Sequence, residues 1–304
     1  MKTLNFSREV LATLSAAESA GKNLQNCESN ASNGIQADEK RDALGHHAVV
    51  TCLDYTAQSA IIGELAKQFP EALFLAEEQE KEHHKLVIPK RNLPDIKKGL
   101  RFGVDSIDGT SAFAHGLPEW SVSVGVMKNG VHIGGCITSP PVFGGFTVTG
   151  EIGKGVLVRE GARVHDGTVR GSQLPKKCVI KLGPDLFFSD QYRSFIFFVS
   201  QLVQTAGSCG SGALALALVA AGKLDAVVQP VQCPWDWFAG YPLITAAGGS
   251  FLFYHYRKGI PERMKTPDLE SYNTTTRKTA YIAGNPVLVE TLWQQLISTW
   301  QYAQ

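Results

Sequence analysis

The stretch Val104-Asp105-Ser106-Ile107-Asp108-Gly109-Thr110 sets two carboxylates three residues apart and follows them at once with a glycine and a threonine. A second acidic pair, Glu77-Glu78, lies upstream. Pro234-Trp235-Asp236 lies far downstream, ahead of an apolar run that ends in Gly248-Gly249. Hard divalent cations take oxygen ligands, and Mg²⁺ keeps several of its waters, so a few carboxylates and a substrate phosphate complete its shell. The carbonyl of Ile107 offers one further oxygen between the two aspartates. Gly109 and Thr110 can present backbone N–H groups and a hydroxyl to a bound phosphate. A single Asp in such a position reads as a helix cap or a surface charge. Acids that repeatedly close apolar runs or open helices read instead as a site for metal-dependent phosphate chemistry.

The elements that must position these groups follow from periodicity. Ala72 to Ala76 is a short apolar run that delivers Glu77-Glu78 at its end, and Leu100 to Val104 is a second that delivers Asp105. The three-residue spacing lets Asp105 and Asp108 converge if the chain turns at Ser106. Asp54 to Phe69 carries Ile61, Ile62, Leu65 and Phe69 on one helical face, and Pro70 stops it. Met1 to Ala20 reads as an amphipathic helix, with Leu4, Val10, Leu11 and Leu14 at helical spacing, and Gly21 to Gly34 as a loop or hairpin. Strands are predicted over Ser121 to Met127 and Val131 to Ile137, joined by a turn at Lys128-Asn129-Gly130. The β-rich pattern continues over Val142 to Thr149 and Gly155 to Arg159. A helix is expected from Ser208 to Ala221, closed by Gly222, then a strand from Leu224 to Gln229. A helix follows from Asp236 to Ala247, irregular at Pro242, and a last one from Pro286 to Trp300. Helices and hairpins alternate in layers, which predicts an α+β sandwich.

The 304 residues are 44% hydrophobic and 19% charged, enough for a large core in one or two closely packed domains. With 29 basic against 28 acidic residues the net charge is +1, so there is no basis for nonspecific nucleic-acid or membrane-surface binding. No stretch matches the apolar length of a membrane span or the pattern of a signal peptide. The cysteines, Cys27, Cys52, Cys136, Cys178, Cys209 and Cys233, are scattered with no C-x-x-C pair. Reduced thiols in a cytoplasmic protein are the expectation.

Taken in order, Glu77-Glu78, Asp105-Ser106-Ile107-Asp108-Gly109-Thr110, Ser121-Val122-Ser123-Val124-Gly125, Gly210-Ser211-Gly212-Ala213-Leu214 and Trp235-Asp236-Trp237-Phe238-Ala239-Gly240 resemble the inositol monophosphatase family over roughly Val49 to Phe251. The resemblance implies a layered αβαβα sandwich of the inositol monophosphatase and fructose-1,6-bisphosphatase type, with residues 1–304 as a single catalytic unit. Residues 1–150 would carry the main metal and phosphate motifs, and residues 151–304 would supply Asp236 and substrate contacts. It implies Mg²⁺-dependent hydrolysis of a small phosphate monoester by water and no covalent phospho-enzyme. Glu77, Asp105, the Ile107 carbonyl and Asp108 would hold a first Mg²⁺, and Asp105, Asp108 and Asp236 a second. Thr110, supported by Asp54, would orient the attacking water, with Glu77 beside them. The amides of Gly109 and Thr110 would bind phosphate, and Gly210, Ser211, Gly212 and Gln229 would face the substrate. The partners implied are a small phosphate ester and a second copy of the chain in a homodimer.

The chain departs from the family pattern at several places. Ser106 stands where Pro is usual, which should loosen the turn. Ala112 replaces an Asn, Ala48 an acid and Gly207 an Arg. Gln229 replaces a Glu that inositol-specific members use for sugar hydroxyls, which removes charge-assisted hydrogen bonds. Histidinol phosphate or a 3′(2′),5′-bisphosphate nucleotide are alternative substrates, and a non-catalytic regulatory homologue is the alternative outside enzymes. Trp235 and Trp237 read as core or as a stacking surface. His46-His47, His83-His84 and His115 read as solvated or structural.

Overall fold

The computed structural model of the chain describes residues 5–30, 35–41, 47–78, 98–171, 174–265 and 279–301. Two helices, α1 (Arg8–Asn30) and α2 (Cys52–Gln68), form an outer layer. Between them β1 (Asp38–Arg41) and β2 (His47–Val50) pair as a small antiparallel ribbon. The second layer is a seven-stranded sheet in sequential order. It comprises β3 (Leu73–Ala76), β4 (Leu100–Asp108), β5 (Ser121–Lys128), β6 (Val131–Ser139), β7 (Phe146–Glu151), β8 (Gly155–Glu160) and β9 (Arg163–Gly167). The short helix α3 (Thr110–Ala114) follows β4 directly.

The second sheet has six strands: β10 (Val179–Leu182), β11 (Thr205–Gly207), β12 (Ala226–Gln232), β13 (Ser250–Arg257), β14 (Ile260–Arg263) and β15 (Thr279–Gly284). Their spatial order is β11-β10-β12-β15-β13-β14, parallel on the β11-β10-β12 side and antiparallel beyond. The outer face of this sheet carries α4 (Arg193–Leu202) and α8 (Pro286–Gln301). Between the two sheets lie α5 (Gly212–Ala220), α6 (Pro234–Trp237) and α7 (Gly240–Ala246). The layers therefore run αβαβα, as the resemblance implies.

Each layer boundary is a separate apolar core. The first gathers Val10, Ala17, Ile61, Leu65, Phe74, Phe102 and Trp120 under α1 and α2. The middle one packs Leu214, Leu216, Trp237, Leu243 and Ile244 between the sheets. The third packs Ile180, Phe195, Val228, Ile282 and Leu296. The helix α5, Gly-Ala-Leu-Ala-Leu-Ala-Leu-Val-Ala, is apolar on all sides because both sheets cover it.

Some elements differ from the sequence expectation. The helix α1 does not end near Ala20 but continues through Gly21 to Asn30, because Leu24 is buried and Gly21 lies against Pro140 without a side chain to obstruct it. Residues 31–34 lie outside the described residues, as do His46 and His83-His84. The expected Ser208–Ala221 helix begins only at Gly212, with Ser211 as its cap. The expected Asp236–Ala247 helix is two, broken at Phe238-Ala239. Pro242 is the third residue of α7, where its missing N–H would have had no helical partner. Sequence periodicity predicts neither the helix α4 nor the strands β1, β2, β9, β10, β11, β13, β14 and β15. Among the described residues no helix is long and apolar enough to cross a membrane.

Candidate metal and phosphate site

The strand β4 does not end at Val104 but runs through the motif to Asp108. Its pairing with β5 explains how the two aspartates turn the same way. Asp105 lies opposite Ser123 and Asp108 opposite Ser121, so three steps on β4 match two on β5. In a regular strand side chains three apart point to opposite faces. The one-residue bulge cancels that alternation.

Carboxylate oxygens of Glu77, Asp105 and Asp236 all lie within 4.8 Å of one another. Each comes from a different place: the end of β3, the bulge of β4 and the first turn of α6. Glu77 is placed through its neighbour. The amide of the buried Gln58 on α2 donates to the Glu78 carbonyl at 2.8 Å and accepts from the Glu78 N–H at 2.9 Å, clamping that backbone. Asp236 is held by its own cap, its Oδ2 accepting from the Cys233 N–H at 3.1 Å. The layers can come this close because Gly125 on β5 has no side chain. A Cβ there would stand 2.7 Å from the backbone of Phe238 and Ala239, between α6 and α7.

Asp105 is 2% exposed, and its Oδ1 has no hydrogen-bond partner. Burial, then the charges of Glu77, Asp108, Asp236 and Asp54, raise its carboxyl well above the usual range. A buried acceptor without a donor, ringed by like charges and served only by oxygen atoms, fits a hard divalent cation. Asp108 stands apart from the three-carboxylate group. Its Oδ2 accepts 2.5 Å hydrogen bonds from the Ser211 hydroxyl and the Ala213 N–H at the start of α5. Burial raises it to about 6 against the lowering effect of those two bonds. Ser211 is fixed in turn by the Ser121 hydroxyl at 2.9 Å, and it caps α5 by accepting from the Leu214 N–H.

Thr110 opens α3. Its hydroxyl lies 3.1 Å from Asp54 Oδ1 and 3.0 Å from the Ile107 carbonyl. Asp54 serves two masters: its Oδ2 accepts from both the N–H and the hydroxyl of Thr51 at 2.7 Å, closing the capping box of α2. Burial raises the Asp54 carboxyl, opposed by the Thr51 bonds. Gly109 has a φ of 93°, and a Cβ there would meet the Glu119 and Gly210 carbonyls at 2.7 and 3.0 Å. Only glycine lets the Gly210-Ser211-Gly212 segment lie against the Asp108-Gly109-Thr110 turn.

Gln229 on β12 is buried, with its Oε1 lacking a partner and its amide nitrogen 3.2 Å from where a Gly212 Cβ would be. Thus Gly210, Ser211, Gly212 and Gln229 line the far side of the motif turn. Trp235 and Trp237 are buried in the middle core. His115 is exposed, with Nδ1 2.8 Å from the Ser111 carbonyl. All six cysteines are free. Sequence reading missed Gln58, and it placed Ser121 in a strand and a motif without its bond to Ser211. Both are polar residues at buried positions of an amphipathic helix and an apolar strand, and that mismatch was the available signal.

The model of the inositol monophosphatase family matches residues 7–298. A fructose-1,6-bisphosphatase/inositol-1-monophosphatase of Thermotoga maritima is 31% identical over 215 residues, covering 70% of this chain and 75% of that one. The Nus factor SuhB of Escherichia coli is 29% identical over 223 residues, covering 71% and 74%. The crystal structure of extragenic suppressor protein suhB from Bartonella henselae superposes with a TM-score of 0.75 at 28% identity, covering 95% of this chain and 98% of that one.

Proposed function

This chain belongs to the inositol monophosphatase family, and we propose from that premise that it hydrolyses a small phosphate monoester with Mg²⁺. One observation carries the reading. The buried, partnerless oxygen of Asp105 sits among Glu77 and Asp236, beside the Thr110–Asp54 hydroxyl pair. Glu77, Asp105, Asp108, Asp236 and the Ile107 carbonyl would hold the metal, with the cluster of three as its centre. When bound, the cation would lower the pKa of water and neutralise charge on the phosphoryl and leaving oxygens.

The chain's own residues do the rest. Thr110 donates its proton toward Asp54, which leaves its oxygen lone pairs to accept from an attacking water and aim it. Asp54, raised by burial, is the acceptor toward which that proton moves. The Gly109-Thr110 turn offers N–H groups to the phosphate. Gly210, Ser211, Gly212 and Gln229 receive the leaving group, and the neutral Gln229 argues for a substrate other than inositol phosphate alone. We take residues 1–304 as one catalytic unit, with the 1–150 half supplying the main motifs and the 151–304 half supplying Asp236. We take it to act as a cytoplasmic homodimer.

The test is phosphate release, with and without Mg²⁺, from inositol 1-phosphate, histidinol phosphate, adenosine 3′,5′-bisphosphate and fructose 1,6-bisphosphate. Mg²⁺-dependent release from any of them supports the reading and ranks the substrates. Silence from folded, Mg²⁺-binding protein would favour a regulatory role instead, a reading supported by the 29% identity to a protein named as a Nus factor.

A further inference from the structure

On β10 side chains alternate. Ile180 and Leu182 enter the outer core beneath α4 and α8, while Val179 and Lys181 face the middle layer that holds α5. In register, Lys181 lies beside Gly207 of β11, and Gly183, just beyond β10, donates to the carbonyl of Val228, next to Gln229. Lys181 is therefore on the same face of the same sheet as Gln229. Its ammonium donates to the Ser208 carbonyl at 2.8 Å. A Cβ on Gly207 would be 4.0 Å from that nitrogen.

Ser208 leads directly to Ser211, the residue bonded to Asp108. Three residues of chain span at most about 10 Å, so the ammonium stands within a small ligand's length of the motif turn. Cys209 lies between them in the chain. Burial pushes its thiol up to about 11, and the side-chain charges acting on it are those of Glu119, Lys181 and Asp108.

Among the described residues no carboxylate pairs with Lys181. Glu119 and Asp108 are the acids of this neighbourhood, and neither forms an ion pair with the ammonium. Gln229 Nε2 and Gln232 Oε1 lie 3.2 and 3.7 Å from the Cβ position of Gly212. Gly207, Gly210 and Gly212 put no side chain of their own between ammonium and motif, and Glu119 and Ala112 pack at 3.2 Å from where a Gly210 Cβ would stand. One ammonium with no carboxylate partner, held by the Ser208 carbonyl within about 10 Å of chain from Ser211, suits a ligand with a second negative charge.

We infer that Lys181 is a specificity-determining residue whose ammonium receives a second anionic group, phosphate or carboxylate, at the end of the substrate distant from the scissile ester. The inference rests on the phosphatase reading above for its first phosphate. It separates this chain from an enzyme built for an uncharged polyol leaving group. Gln229, Gln232 and the glycines shape this side of the site, and Lys181 selects the substrate's far end.

The experiment compares the full-length chain with Lys181→Met and Lys181→Arg on three probes: fructose 1,6-bisphosphate, 6-phosphogluconate and inositol 1-phosphate. Lys181→Met is expected to raise KM about tenfold for whichever of the first two probes is preferred, leave its kcat near wild type and leave inositol 1-phosphate unchanged, with Lys181→Arg restoring most of the loss. Loss on the bisphosphate alone identifies a phosphate, and loss on the sugar acid a carboxylate. Equal loss on all three probes, or none on either probe with a second anionic group, overturns the assignment. Calorimetric binding of the same probes to the Thr110→Ala chain repeats the comparison without turnover. A Lys181-dependent affinity there, with no hydrolysis by wild type, would sink the phosphatase reading and keep this one. The absence of that dependence would sink this one alone.

Discussion

The Ser106 hydroxyl donates a 2.9 Å hydrogen bond to the carbonyl of Asp54, across 52 positions of sequence and in the dry interior. The same Asp54 receives the Thr110 hydroxyl on its carboxylate. Ser106 was expected to loosen the motif, yet it ties the bulge of β4 to the first turn of α2 and sets the distance between Asp54 and Thr110. A buried hydrogen bond of this kind contributes about 1 kcal/mol. Ser106→Ala should lower unfolding stability by roughly that amount in urea and reduce kcat several-fold. Unchanged kcat with the stability loss would make the bond purely structural.

Thr110 and Asp54 should fail as a unit. Thr110→Ala and Asp54→Asn are each expected to lower kcat by roughly 10²–10³-fold, within the range of positioned proton transfer. The double variant should be little worse than either single one, because each removes the same 3.1 Å contact. Asp54→Asn, unlike Asp54→Ala, leaves an oxygen that can still accept from Thr51, so α2 should stay capped. Additive losses in steady-state kinetics would show that the two residues act separately.

The acidic cluster opposes folding while its carboxylates are ionised. Burial and the surrounding carboxylates raise Asp105 far above its unfolded value. Such a group favours the folded state only while protonated: that stability is fully present below the unfolded pKa and lost as pH rises through the folded one. In chelator at neutral pH, Asp105→Asn should therefore raise the melting temperature by several degrees. The same variant should lose the further rise that Mg²⁺, bound at the proposed site of the folded form, would give the parent chain. A lower melting temperature in chelator would contradict the repulsion.

The parts of this site that were legible in the sequence were those with a local signature. Acids after apolar runs located Glu77 and Asp105, and the Gly109-Thr110 pair located the turn. The alternating β5–β6 hairpin was readable from Asn129-Gly130 alone, and Asn129 does take a positive φ of 52°. What stayed hidden depended on contacts remote in sequence. The bulge that aligns Asp105 with Asp108 exists only through pairing with Ser121 and Ser123. The clamp of Gln58 on Glu78 spans 20 positions, and the bond of Ser211 to Asp108 spans 103. The strands β13 and β15 were missed because both sheet faces are covered there, which erases the period-two pattern.

His132 on β6 is a further case, an unforeseen core histidine whose titration can be separated from that of the carboxylates. It is 4% exposed and packs against Phe238 and Tyr241 at ring distances of 4.4 and 5.3 Å, with Trp237 at 5.8 Å. Its Nδ1 has no partner, and burial lowers its pKa to about 3 despite a hydrogen bond with the Phe238 backbone. The unfolded chain binds a proton here near pH 6.5 and the folded chain does not, so this group removes stability as pH falls from that value toward 3. The limiting slope is about 1.4 kcal/mol per pH unit. The metal-free carboxylates pull the other way over part of this window, since Asp108 gains its proton near 6. The difference between parent and His132→Leu chains isolates the imidazole. Urea unfolding from pH 7 to pH 4 should show the parent losing stability relative to the variant as pH falls. A constant difference across that range would mean that His132 titrates alike in the folded and unfolded chain, contradicting the effect of its burial.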